Sequence, residues 1–345
     1  RPQGAQMRAF VLPKYKSPLE LRDVKEPSIG NHEVLVRVEA AGLNQLDEKI
    51  RTGEFKQILP YSLPITLGHD VAGTVLEVSS HVSSVRVGDR VYARVGKDQI
   101  GTFAERVAVA ETDLALAPTN ISAVEAASLP LVALTAWQAL VEKGNVRPGQ
   151  KVLIHAGAGG VGTIAIQLAK HLGATVATTA SASSADFLYG LGADLVIDYR
   201  TEDFETKLSG YDFVLDSLGG ENLEKSLRIL APGGTAIGIA GPPDPAFAKK
   251  SRLNPLVRLA IAALSSKIRR RARKLGVTYQ FLFMHADGTQ LRDIAELVED
   301  GTIRPVVGAT FPFAQTLDAL SSLGIGGLHG KTVITLPTGS ESGSS

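Results

Sequence analysis

The sequence predicts an α/β protein, a parallel sheet with helices on both faces, set into a β-domain. Three observations predict it. Short segments that alternate apolar and polar residues fill the first third of the chain. Strand-like and helix-like segments then alternate from Lys151 to Met284. A glycine-rich turn, Gly157-Ala-Gly159-Gly-Val-Gly162, joins one such strand to one such helix.

The elements follow in order. From Met7 to about Asn120, "EVLVRVEAAG", "VAGTVLEVSS", "DRVYARV" and "TFAERVAVA" are half-buried strands separated by Gly, Asp and Ser, which suits a partly open antiparallel barrel or sandwich. "SAVEAASLPLVALTAWQALVEKG" is helical and interrupted at Pro130. The alternating region runs "KVLIHA", the glycine turn, "TIAIQLAKHLG", "ATVATTA", "SSADFLYGLG", "DLVIDY", "YDFVLDS", "ENLEKSLRIL" and "GTAIGIA". "VTYQFLFM" offers a sixth strand. One helix, "TQLRDIAELVEDG", and two strands, "RPVVGATFPF" and "GKTVITL", then return to the first domain. The expected boundaries are 7–122 with 287–338 for the β-domain and 123–286 for the inserted one. Residues 1–6 lack the apolar core of a signal peptide and read as vector-derived, and 1–6 and 339–345 are expected to be flexible.

Composition narrows the function classes. The 345 residues are 44% hydrophobic, enough for two cores. A net charge of +1 gives no global field toward nucleic acid. The absence of cysteine excludes disulfides, thiol nucleophiles and thiolate zinc sites, and fits a cytoplasmic address. No apolar run reaches the roughly 18 residues of a membrane span.

The glycine turn satisfies G-x-G-x-x-G in the strand–turn–helix context that its chemistry needs. Gly157 permits the turn, Gly159 lets backbone N–H groups approach a pyrophosphate, and Gly162 lets the helix pack on the strand. The helix dipole favours the anion. The bland alternative is a turn used only for packing. About 20 positions on, where an NAD site places an acid, stand Thr178, Thr179, Ala180 and Ser181. Without that carboxylate a 2′-phosphate is not repelled. Ser181 and Ser184 can donate to it, and Tyr199 and Arg200 can close the site. This points to NADPH over NADH, although no Lys or Arg lies within Ser181–Ser184.

The motifs "AAGLNQLD", "LGHDVAGTVLEV", "VGDRV", "GTFAERVAV", "LPLVALTAWQAL", "GAGGVGTIAIQLAKHLGA", "PGG" and "GLHGKTVI", in this order, resemble the medium-chain dehydrogenase/reductase superfamily. The resemblance covers Met7 to about Leu336 and looks like the zinc-independent quinone oxidoreductase and enone reductase branch. It implies a GroES-like β-domain with an inserted, doubly wound Rossmann domain. It implies that Asn44, Thr135, Ala158, Gly159, Gly160, Val161, Ile239, Ala240, Gly241, Phe281, Phe283 and Lys331 lie along the coenzyme, Asn44 beside the nicotinamide. The family's zinc enzymes carry a cysteine ligand at the position of Asn44. Here only His69 of the ligand set survives, in "GHD", so no metal is expected and His69 is structural or lines the pocket.

Without a Lewis acid, the acceptor must delocalise charge itself, as a quinone or an α,β-unsaturated carbonyl does. Many enone reductases of the family have a proton-donating Tyr after "G-x". "RTGEF" places Phe55 there, which cannot donate. Tyr61 in "LPYSLP" either compensates or packs with its hydroxyl in water. A retained NADPH-binding fold without catalysis, crystallin-like or docking on a membrane or partner, is the alternative function. Between Ala246 and Leu275 lie ten Lys/Arg and no acid, with Val257, Ile261, Leu264, Ile268 and Leu275 at helical spacing. This basic helix is either a solvated face or a peripheral membrane contact. Nucleic acid is disfavoured for lack of stacking aromatics. The edge strand near 277–284 suggests a homodimer.

Overall fold

The structure, a computed structural model, describes residues 4–338. The expected flexible ends fall mostly outside that range. Within it, Gln6 already pairs with Lys25 in a strand. The chain divides into two compact units, one built from residues up to Leu134 together with those from His285 onward, the other from Thr135–Met284.

In the first unit, Glu33–Gly42 is the central strand. It pairs antiparallel with Asp70–Val78, Arg106–Ala110 and, from the far end of the chain, Lys331–Thr335. Its alternation buries Val34, Val36, Val38 and Ala40. The full sheet has seven strands, and a second sheet of three strands is built on Gln6–Leu12. The C-terminal strands do return to this unit, where Val307–Pro312 runs parallel to Lys331–Thr335. Tyr92, fully buried, donates its hydroxyl to the Leu291 carbonyl and ties helix Gly288–Glu299 to the sheet. The helical stretch after Ser122 breaks before Pro130, which opens the next helix, Pro130–Trp137.

The second unit is a six-stranded, all-parallel sheet. Its order is Leu195–Asp198, Thr175–Ala180, Lys151–Ile154, Tyr211–Asp216, Leu230–Gly238, Thr278–Phe281. Chain order reverses between Lys151–Ile154 and Tyr211–Asp216. The carboxyl ends of these two strands therefore flank a crevice where doubly wound folds bind ligands. "VTYQFLFM" does supply the sixth, edge strand.

The basic helix spans Pro255–Leu275, but its buried face differs from the expected stripe. Ile261, Ser265, Ile268 and Ala272 are buried, whereas Leu264 and Leu275 are exposed. The sequence pattern favoured large apolar residues. The packing instead selects a narrow line in which Ser265 and Ala272 allow close approach, and Ser265 returns its hydroxyl to the Ile261 carbonyl at 2.9 Å. No helix among the described residues is long and apolar enough to cross a membrane.

Candidate active site

The glycine turn follows strand Lys151–Ile154 and opens helix Gly160–His171. Its first amides are tied to the neighbouring strand. Ala156 N–H donates to Thr179 Oγ1 (3.1 Å) and Gly157 N–H to the Thr179 carbonyl (2.9 Å). The left-handed residue of the turn is Ala156 (φ 52°), not Gly157. Gly157 is required for another reason: a Cβ there would run into Thr178 Oγ1. Gly162 is required because a Cβ would strike the Ala156 carbonyl.

Gly159 has neither reason. Its φ of −79° is open to any residue, and a Cβ would meet only the Ala156 carbonyl oxygen, at 3.4 Å. Nothing inside the protein needs a glycine at this position. Among the described residues, the amides of Ala158, Gly160, Val161 and Gly162 have no hydrogen-bond partner. Four open donors around a position kept bare form a cradle for an anion.

The other coenzyme residues expected in this unit gather at the carboxyl ends of the same sheet. Ser181 follows strand Thr175–Ala180, and its hydroxyl lies 3.1 Å from that of Ser183 and 3.4 Å from that of Ser184. Ile239, Ala240 and Gly241 follow strand Leu230–Gly238, and Ile239 N–H donates to the Asp216 carbonyl. Phe281 ends the edge strand. It packs edge-on against Phe247 with ring centroids 5.0 Å apart, and Phe283 lies 5.6 Å from Phe247. Thr135 is buried on helix Pro130–Trp137.

A cavity of about 280 Å³ opens beyond strand Leu195–Asp198 and is lined by Thr179, Tyr199, Arg200, Asn222 and Lys225, with the acids Glu202 and Asp203. The Arg200 guanidinium sits 5.6 Å from the centre of the exposed Tyr199 ring. Deeper, His155 contacts Thr179 Oγ1 (3.1 Å) and Ser226 Oγ (2.8 Å), and burial drives its pKa down to about 4. Asp216, at the switch point, accepts from Gly219 N–H (2.9 Å), while burial raises its pKa to about 6.

Asn44, Lys331 and Tyr61 belong to the first unit. Asn44 and Lys331 come together in a buried polar cluster. Lys331 Nζ donates to the Leu43 carbonyl (2.6 Å) and to Asn44 Oδ1, and lies 3.6 Å from Asp70 Oδ2. Asn44 Nδ2 donates to the same Asp70 oxygen at 3.0 Å. Asp70 Oδ1 accepts from Leu131 N–H (2.9 Å). Asp47 accepts from Asn44 N–H (2.9 Å) and holds His69 Nδ1 at 2.6 Å. Burial pushes Asp70 up and Lys331 down, and each charge opposes the shift of the other. Lys331 is thus held by the Leu43 carbonyl, Asn44 and Asp70.

Tyr61 is tied to a neighbouring loop. Its hydroxyl donates to the Lys97 carbonyl at 2.7 Å, and burial raises its pKa to about 12. Phe55, at the usual donor position, lies with Lys49 Nζ 5.4 Å from its ring centre.

Residues 30–119 match the alcohol dehydrogenase GroES-like domain and residues 191–334 the zinc-binding dehydrogenase domain. A mitochondrial NAD(P)H oxidoreductase, RTN4IP1 of Bos taurus, is 34% identical over 97% of this chain and 90% of its own length. The 2-methylene-furan-3-one reductase of Solanum lycopersicum is 35% identical over 96% of this chain and 79% of its own. The quinone oxidoreductase of Coxiella burnetii superposes with a TM-score of 0.84 at 31% identity, covering 96% of this chain and all of that one.

The chain belongs to the medium-chain dehydrogenase/reductase superfamily. Within it the chain falls in the quinone oxidoreductase branch and is an oxidoreductase that uses a nicotinamide dinucleotide. The zinc named by one matching domain does not suit the donors present. Asn44 is no thiolate, His69 Nδ1 is taken by Asp47, and among the described residues no three His, Cys, Asp or Glu side chains converge. His69 Nε2 is buried and has no partner among the described residues.

Sequence reasoning missed Asp70, Phe247, Asn222 and Lys225. Asp70 stood beside His69 in "GHD", and strand alternation alone puts the two on opposite faces. Phe247, Asn222 and Lys225 carry no local signal, because only the packing of helices Pro245–Lys250 and Gly220–Ile229 brings them to the sheet edge.

Proposed function

We propose that the protein is an NADPH-dependent reductase of quinones or α,β-unsaturated carbonyls that works without zinc. The observation that carries this is Gly159, a bare position with ordinary backbone geometry, ringed by four open amides. A pyrophosphate is an anion that fits such a cradle. Bound there, the coenzyme supplies the hydride.

The chain's own residues bind and orient. Ser181, Ser184, Tyr199 and Arg200, with Lys225 in the adjoining cavity, form a donor-rich end for a 2′-phosphate, and no carboxylate follows strand Thr175–Ala180 directly. Asp203 partly neutralises Lys225, at 3.4 Å. Asn44 is fixed in one amide orientation, because Lys331 can only donate to Oδ1 and Asp70 accepts from Nδ2. Among the described residues a single Nδ2 hydrogen stays without an acceptor, a donor that Asn44 can offer to a ligand.

With Tyr61 engaged and Phe55 inert, no strong acid stands ready in this loop. That favours quinones, whose reduced form is only weakly basic, over enones. The test is coenzyme oxidation, followed by absorbance, against a panel of quinones, enones and enals, with NADPH and NADH in parallel. Turnover with NADPH on quinones is expected. No oxidation of either coenzyme with any acceptor overturns the proposal.

A homodimer through the 277–284 edge belongs to the same proposal. Leu282 N–H turns inward to the Gly238 carbonyl, and the outward Phe281 N–H already donates to Asp244 Oδ2 at 3.0 Å. Cross-pairing then falls to the backbone around Tyr279 and beyond Leu282. A monomer mass in light scattering at micromolar concentration discards the dimer.

A further inference from the structure

We propose that the outer face of helix Pro255–Leu275 docks on an anionic phospholipid bilayer. This goes beyond hydride transfer and does not depend on it.

The helix is fixed at both ends. Asn254 Oδ1 caps it by accepting from Val257 N–H at 2.9 Å, and Gly276 closes it at φ 69°. Its inner face, Ile261 to Ala272, packs on helix Gly220–Ile229 and strand Thr278–Phe281. The opposite stripe is exposed along its full length: Leu256, Ala260, Ala263, Lys267, Arg270 and Lys274, at alternating spacings of four and three. It divides into two halves. The first is apolar and flanked by Leu259 and Leu264, and the three leucines are 79%, 68% and 67% exposed. The second is cationic.

The cations are largely uncompensated. Glu224 takes Lys267 and Arg271. Among the described residues, Arg258, Arg270, Arg273 and Lys274, with Lys249, Lys250 and Arg252 just upstream, have no acidic partner. The occupant must therefore be anionic and must also take up leucine side chains. A second copy is not such an occupant, since a two-fold contact through this face would set these cations either against one another or against the leucines, and neither pairing compensates their charge. Nucleic acid meets the charge but gains nothing from the leucines, and the face has no aromatic ring to stack. A bilayer with acidic headgroups meets both demands: the leucines enter the acyl boundary and the cations stay at the phosphates.

The test uses the full chain and flotation with vesicles of phosphatidylcholine alone or with about 30 mol% phosphatidylglycerol. We expect at least about tenfold more bound protein on the anionic vesicles, with most of it released near 0.5 M salt. The triple variant L256S/L259S/L264S and the pair R270E/K274E should each lose at least about tenfold of that binding, with melting temperature and turnover on a water-soluble quinone unchanged. Failure to float with anionic vesicles overturns the proposal. So does binding that the leucine substitutions leave untouched, which would mean simple adsorption. Wild-type dimers that become monomers in the triple variant would assign the face to a second copy. Duplex DNA that displaces the vesicles while the leucine variant binds it equally well would assign the face to nucleic acid.

Discussion

The two polar regions of the chain handle their hydrogen-bonding groups in opposite ways. Around Asn44, nearly every donor has an internal acceptor: Lys331, Asp70, Asp47 and His69 hold one another and leave one amide hydrogen of Asn44 open. Around Gly159, the amides of Ala158, Gly160, Val161 and Gly162 have no partner among the described residues, and a Cβ on Gly159 would meet only the Ala156 carbonyl oxygen. The first is an orienting device, whose groups must be satisfied because they are buried. The second leaves its groups open, as the proposed coenzyme cradle requires. The difference shows that a residue singled out by resemblance can have firm partners inside the protein, as Lys331 has in the Leu43 carbonyl, Asn44 and Asp70.

The largest expected effect breaks the closed region. Lys331→Met leaves Asp70 as a buried charge without its cation and should cost about 3–5 kcal/mol, read as a lower urea midpoint. Adding Asp70→Asn should restore much of that stability while turnover stays at least about tenfold down, because Asn44 is no longer oriented. A single variant as stable as the parent would show that the two charges are not coupled.

The next sharpens the open region. Gly159→Val should weaken coenzyme binding about 100-fold, near 2.7 kcal/mol, while the free protein melts within a few degrees of the parent. Gly162→Val, which meets backbone, should lose the fold itself. Titration by tryptophan emission alongside thermal melts separates the two. Equal coenzyme affinity in Gly159→Val would remove the cradle.

A third effect compares two buried groups beneath the open region. The raised pKa of Asp216 gives stability that is present below about pH 4 and lost as pH rises toward 6. The depressed pKa of His155 does the reverse: stability is lost as pH falls from the ordinary histidine value toward 4. In the parent the two slopes oppose each other. Asp216→Asn removes the falling one, so its stability should climb about 2–3 kcal/mol more steeply between pH 4 and 6. Parallel pH profiles for parent and variant would refute the assignment. The smallest effect is Tyr61→Phe, expected to keep turnover within about twofold and to cost about 1 kcal/mol through the lost bond to Lys97. A drop of tenfold or more on an enone would return Tyr61 to the chemistry.

Much of the fold was legible because its signals are local. Strand Lys151–Ile154, the glycine turn and helix Gly160–His171 announce themselves within 21 residues, by alternation, glycine spacing and helical period. The exposed tyrosine at 199 and the serines at 181 and 184 were readable as the ends of successive parallel strands. The buried stripe of helix Pro255–Leu275 was misread at Leu264 and Leu275. Hydrophobicity scores residue size, whereas packing at this crossing favoured Ser265 and Ala272.

By itself the sequence determined the alternation of elements, the absence of a thiolate metal site and the position of the glycine turn, because each depends on composition or on neighbours in the chain. Only the tertiary structure decided that Lys331 meets Asn44, 287 residues away, and that Gly159 alone of the three motif glycines has no internal steric need to be glycine. It also decided which side of the basic helix faces solvent. These are questions of what lies within a few ångströms in space, and distance along the chain carries no such information.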